Sequence, residues 1–304
     1  MIEKTIIKLK MENALNEAFD APALKKLALA AVNYQAEKSE FLFGRLTLLH
    51  YDMFLERSKE IDSAAAAMEF LILAGDILDD LVDQDGGEYP WNKIESPLSL
   101  NIAIGLLLLG QKIITDLPVD DIRKAKAQSY ISSRLFQSLN GQQMDLTHDI
   151  KTEADYIEMV KQKSGSLVVM ACLIGAALAG AKQNTSIIEN YANHIGIAAQ
   201  IDNDIDALYR WDEKNDIKAK KKSLPILYML ASKRDNLLKQ YFSNHIDYNE
   251  LYAQKEKVIQ QMEQEGAFYY AKVISQIYKE KALQEIEKLD VDDRYKSALK
   301  TFIL

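Results

Sequence analysis

The chain has 304 residues, 48% of them apolar, with 12 glycines, 5 prolines and many strong helix formers, which points to an all-α fold with a sizeable core. A formal charge of −8, from 37 basic and 45 acidic residues, argues against a nucleic-acid binder. One cysteine, Cys172, excludes an intrachain disulfide and fits a reducing, cytoplasmic setting.

Met1 to Lys8 lacks the long apolar core of a signal peptide. Residues 5–36 give two short amphipathic helices, broken near Asp20-Ala21-Pro22, with Pro22 suited to a first helical turn. The stripe Phe41, Leu42, Leu46, Leu48, Leu49, Met53 predicts a helix over 39–58. Asp62 is a candidate N-cap for the next helix, which runs to Asp83. Gln84 to Trp91 is the most loop-like stretch of the chain. Pro97 or Ser99 opens an apolar helix to about Thr115, and Pro118-Val119-Asp120 marks the start of a long one to about His148. Helices follow over Thr152–Ala181 and Thr185–Tyr209, then a charged loop over 211–222, then helices from about 223, 247, 267 and 291. The most apolar run, Ser166 to Ala181, is shorter than the ~18–20 residues that span a bilayer and reads as the centre of a bundle, so no transmembrane segment is expected. No strand-like alternation, fixed-period repeat or low-complexity linker interrupts the series. One all-helical domain over 1–304 is the expectation.

Asp76, Asp79, Asp80 and Asp83 stand at i, i+3, i+4 and i+7, so they share one helix face. Like charges at that spacing repel, and acids at a helix C-terminus oppose its dipole. A solvated acidic helix end would carry that cost uncompensated. Divalent cations among the carboxylates would relieve it, and oxygen-only ligands suit Mg²⁺. Gln200, Asn203, Asp204 and Ala207 repeat the spacing on the 185–209 helix. Asp202 falls outside this second face, and Asp206 comes no nearer than its rim. Two such faces in an all-helical chain suggest opposed walls of one cavity. Gly141-Gln142 with Asp145, Lys163 before Ser164, and Lys221 before Ser223-Leu224-Pro225 add polar positions in apolar surroundings. Lysines beside such a cavity would bind phosphate as point charges.

In these motifs, taken in this order, the chain resembles the trans-prenyl diphosphate synthases. The resemblance implies an isoprenoid-synthase-type bundle around a central cavity and Mg²⁺-dependent use of an allylic prenyl diphosphate. The family's Asp-Asp-x-x-Asp stands as Asp79, Asp80 and Asp83, its upstream glutamate as Glu69, and its Gly-Gln-x-x-Asp-Leu as Gly141, Gln142, Asp145 and Leu146. Its second aspartate motif is reduced to Gln200, Asn203, Asp204 and Ala207. By this likeness Asp79, Asp80, Asp83, Asn203 and Asp204 bind metal, and Gln142, Lys163, Gln200 and Lys221 bind the diphosphate. Small residues at Ala74 and Gly75, where the family sets chain length, imply a deep pocket and favour farnesyl over geranyl. The family is often dimeric, which makes the 97–115 helix a candidate partner face for a homodimer.

Two departures from the family stand out. Lys38-Ser39-Glu40-Phe41-Leu42-Phe43 lacks the Gly-Lys-x-x-Arg that holds isopentenyl diphosphate, and Asp85 to Asn92 contains no basic residue where the family has an arginine pair. The donor half of the site survives while the second diphosphate half is lost. That pattern resembles a branch of the family that prenylates a tryptophan in the peptide precursor of a bacterial quorum-sensing pheromone. It implies a peptide groove between the 39–58 helix and the 84–93 loop. A short-chain prenyl diphosphate synthase, a terpene cyclase and a regulatory synthase subunit are the competing expectations.

Overall fold

The computed structural model describes residues 2–83, 87–181, 183–210 and 216–303. Residues 84–86 of the turn-rich segment, Lys182, and residues 211–215 of the charged loop lie outside the described residues. Helices α1 (Ile2–Ala18), α2 (Pro22–Lys38), α3 (Leu42–Asp52), α4 (Asp62–Asp83) and α5 (Ser96–Asp116) come first. Then follow α6 (Asp121–Leu146), α7 (Glu153–Val160), α8 (Ser166–Leu178), α9 (Thr185–Tyr209) and α10 (Leu224–Ala231). Short α11 (Leu237–Phe242) and α12 (Tyr248–Tyr252) lead into α13 (Lys255–Glu265), α14 (Ala267–Glu287) and α15 (Asp293–Lys300). Among the described residues there is no strand.

Local chemistry explains several of the boundaries. Pro22 opens α2, where its fixed φ suits a first turn and its missing N–H costs nothing. Asp120 accepts from the Arg123 N–H to cap α6, and Thr152 and Asp155 form a reciprocal capping box at α7. The helix expected over 39–58 is shorter. It starts at Leu42, after Phe41 takes a left-handed φ of 51°, and stops at Asp52. Beyond that end Arg57 pairs with Glu3 at 3.2 Å, Asp52 at 3.6 Å and Asp62 at 3.9 Å, which ties the connecting turn to α1, α3 and α4. Asp62 itself is the first residue of α4 rather than its cap. The helix expected over Thr152–Ala181 is divided by a π-turn at Lys161–Gly165.

α8 is the centre of the bundle, against α3, α6 and α9, with every residue but Leu167 buried. Each fully buried Val, Leu, Ile or Met there contributes about 1.5–3 kcal/mol. Burial pushes the Cys172 thiol up, so it stays protonated and inert. Residues 64–74 of α4 are all buried, as expected of a helix apolar on every side, and only its last turns emerge as the acidic face. α5 packs along α4 and is long and apolar enough to cross a membrane by length and composition, with 39% of that window buried. Leu98, Leu100, Ile104 and Leu108 lie exposed on its other side.

Glu69 lies within the buried part of α4 at 2% exposure. It accepts from the Gly44 N–H at 2.6 Å and from Gln35 Nε2 at 3.0 Å. Burial pushes its carboxyl up to about 8. Gln35 Oε1 has no partner among the described residues; a protonated Glu69 could donate to it once the amide is flipped. The folded chain therefore holds a proton that the unfolded chain gives up near pH 4.5. Stability should fall as pH rises from about 4.5 to about 8, by on the order of 5 kcal/mol in all, and then level off. Glu69→Gln should remove that slope and be the more stable protein at pH 8, read from urea unfolding across this range.

Candidate active site

The C-terminal turns of α4 and α9 face one another across a cavity of about 530 Å³. Asp79, Asp80 and Asp83 line one wall; Gln200, Asn203 and Asp204 line the other; Lys163 and Lys221 lie on it too. Asp206 reaches the cavity, whereas Asp202 turns away and pairs with Lys279 at 3.0 Å. The two polar faces of the sequence thus meet in one place.

Two lysines organise the acids. Lys163 Nζ lies 3.3 Å from Asp79 and 3.1 Å from Asp145. Lys221 pairs with Asp83 and lies 3.6 Å from Asp145 and 3.3 Å from Asp216. Asp145, at 7% exposure, is the shared partner of both. Burial pulls the lysines down, yet Asp79 and Asp145 hold Lys163 above the usual range, and Asp145, Asp216 and Asp83 do so for Lys221. Both stay charged. Burial, then Asp79, pushes Asp83 up against the pull of Lys221.

Cations fit this wall. Among the described residues, eight aspartates and five basic side chains border the cavity, so an anionic head group would meet net repulsion without added positive charge. Asp83 Oδ1 is buried with no hydrogen-bond partner among the described residues. The donor set is carboxylate and amide oxygen, the set that hard divalent cations take. No three acidic, His or Cys side chains among the described residues form a ready-made metal cluster; Asp79 and Asp83 are paired with lysines.

On the second wall, Asp204 accepts from Tyr156 OH and from Gln200 Nε2, both at 2.7 Å. Ser164 Oγ donates to Gln200 Oε1 at 2.7 Å, which fixes the amide's orientation. Burial pushes Asp204 up to about 6, against those two hydrogen bonds. Tyr156 reads in sequence as a core aromatic, and nothing there signals its hydroxyl. Asp76 and Asp216 also border the cavity and belong with the candidate residues.

The π-turn places Lys163. A π-turn adds a residue to the helical register and re-aims the side chains around it. It also lies unusually close to its neighbours. A Cβ on Gly141 would stand 2.3 Å from the Lys163 amide nitrogen, and one on Gly196 2.6 Å from the Gly165 Cα. Gly141-x-x-x-Asp145 therefore does two things: the glycine admits the turn and the aspartate takes the lysine.

Three placements differ from what the motifs suggest. Gln142 does not border the cavity; both its amide atoms are enclosed without a partner among the described residues. Neither Ala74 nor Gly75 lines the cavity: Ala74 is fully buried, and a Cβ on Gly75 would meet nothing within 4 Å. The apolar wall is instead Leu73, Met159, Leu208 and Ile226. The rim opposite Tyr89 and Trp91 is the end of α2, from Tyr34 to Ser39, rather than the helix expected over 39–58.

The polyprenyl synthetase family model matches residues 26–262. A tryptophan prenyltransferase ComQ from Bacillus spizizenii is 32% identical over 266 residues, 86% of this chain and 92% of that protein. A second ComQ, from Bacillus subtilis subsp. natto, is 32% identical over 297 residues, 95% of this chain and 87% of its own. In fold, the chain is similar to a geranylgeranyl pyrophosphate synthetase from Geoglobus acetivorans, with a TM-score of 0.81 at 22% identity over 99% of this chain and 95% of that one.

Gly141→Ala should push the π-turn outward, lower stability by about 1–3 kcal/mol and displace Lys163. Pyrophosphate affinity of the folded variant, measured by calorimetry with Mg²⁺, should fall at least roughly ten-fold, as for loss of a charged contact. Wild-type affinity in this variant would detach Lys163 from head-group binding.

Proposed function

The chain belongs to the polyprenyl synthetase family and is a prenyltransferase, and from that premise we propose that it moves a farnesyl or geranyl group from an allylic diphosphate to a tryptophan side chain of a small peptide pheromone precursor. The observation that carries this reading is the lysine–aspartate cluster. It offers one diphosphate head a matched set of partners, Lys163 and Lys221, beside carboxylates suited to its counterions. The tryptophan acceptor rests on the ComQ relatives, 32% identical over most of both chains.

The residues divide the work. Lys163 and Lys221 take the diphosphate oxygens as point charges. Gln200, held by Ser164, keeps Asp204 aimed into the cavity. Asp79, Asp83 and Asp204, with Asp80 and Asn203, would hold Mg²⁺. When bound, Mg²⁺ neutralises charge on the leaving diphosphate and so eases ionisation of the donor. Leu73, Met159 and Ile226 shelter the hydrocarbon from water that would quench an allylic cation. The donor's carbon–oxygen bond breaks with its electron pair leaving on the diphosphate. A π pair of the indole makes the new carbon–carbon bond, and the proton the ring loses goes to the released diphosphate. We also assign the exposed apolar face of α5 to a second copy of the chain.

Incubation with a tryptophan-bearing precursor peptide, Mg²⁺ and farnesyl or geranyl diphosphate should add one prenyl mass to that tryptophan, seen by tandem mass spectrometry. Asp83→Ala should lower kcat by at least about 100-fold, as removal of a key electrostatic group does. Robust condensation of isopentenyl diphosphate would identify a chain-elongating synthase instead. Hydrocarbon released from farnesyl diphosphate without acceptor would identify a cyclase.

A further inference from the structure

Away from Lys163 and Lys221 the cavity rim is aromatic. Tyr34 of α2 meets Tyr89 edge-on at 5.5 Å and Trp91 at 5.8 Å, while Tyr89 and Trp91 stack at 5.2 Å with planes 6° apart. All three rings border the cavity. The wall is firmly built. Pro90 opens a 3₁₀ turn that carries Trp91, and Ser99 Oγ donates to the Trp91 carbonyl at 2.6 Å. A Cβ on Gly87 would lie 2.4 Å from the Tyr89 ring, so the bare glycine gives that ring its seat. Trp91 is 5% exposed, and its Nε1–H donates to Asp80 Oδ2 at 2.7 Å. Asp79 and Asp83 on the same helix face are paired with lysines, whereas Asp80 is joined to this wall.

Resting on the tryptophan-prenylation reading above, we propose that Tyr34 and Tyr89, backed by the buried Trp91, form the acceptor subsite, where the substrate's indole packs against their rings beside the donor's reacting carbon. Aromatic rings favour offset-stacked and edge-to-face neighbours, which an indole supplies and a diphosphate does not. Lys38, at the same rim, lies 5.9 Å from the Tyr34 ring centroid, so its charge is already set against a ring face. The Trp91–Asp80 hydrogen bond makes the buried Trp91 a positioning residue: it fixes the acceptor wall against the donor's acid face.

The test is a set of variants at Tyr34 and Tyr89, assayed with a tryptophan peptide acceptor, Mg²⁺ and an allylic diphosphate. Tyr34→Ala and Tyr89→Ala should raise acceptor KM roughly ten-fold, with the phenylalanine forms near wild type. Donor KM and acceptor-free release of pyrophosphate should stay within about two-fold. Tyr34→Leu keeps bulk without a ring and serves where the alanine form does not fold. If the wild-type enzyme modifies no tryptophan peptide, the functional reading falls and this subsite with it. If it modifies the peptide while ring-less variants keep wild-type acceptor KM, or lose donor KM to the same degree, the subsite is overturned and the function stands.

Discussion

Two lysines hold together acids that would otherwise repel one another. Lys163 and Lys221 draw Asp79 and Asp83 of α4, Asp145 of α6 and Asp216 of a connecting segment into one cluster. Both lysines are largely enclosed and each holds more than one carboxylate, so neither is a casual surface contact. On the proposed function, the arrangement is also an exchange site. A diphosphate arriving with divalent counterions would offer each lysine a phosphate oxygen and each carboxylate a cation, so both sets of charges keep opposite partners throughout. Asp83 Oδ1, with no hydrogen-bond partner among the described residues, is the atom with most to gain.

The fold serves that cluster by holding its parts rigidly. α4 is buried on every side from 64 to 74, so its acidic last turns project from a fixed rod. The π-turn at Lys161–Gly165 is wedged between Gly141 of α6 and Gly196 of α9, where any side chain would force backbone apart. Tyr156 and Gln200 clamp Asp204 from its own side of the cavity. Chemistry that depends on charge placed before the reaction begins needs this sort of immobility. The aromatic rim adds a differently built wall next to it, joined through Asp80.

Much of this was legible in the sequence, because strong periodicity leaves little choice. Carboxylates at i, i+3, i+4 and i+7 must share a face, and both faces do meet in the cavity. The limits of α4 and α9 follow from uninterrupted helical patterns with loop residues beyond them. What stayed hidden depends on contacts between distant residues. Arg57, just past the end of α3, takes partners on three segments. A π-turn has no composition of its own, so Lys161–Gly165 reads as ordinary helix. Gln142 sits in a polar motif yet faces inward without reaching the cavity, a matter of one helix's rotation against its neighbours. Tyr156 looks like core and acts as a donor to Asp204.

A count of bound diphosphate heads tests the central claim most directly: one cluster, one head, and an aromatic neighbour that accepts no second. Calorimetric titration with an unreactive farnesyl thiodiphosphate should give one site per chain that depends on Mg²⁺, and isopentenyl thiodiphosphate added afterwards should give no further binding heat. Two diphosphate sites per chain, or tight binding that ignores Mg²⁺, would contradict it.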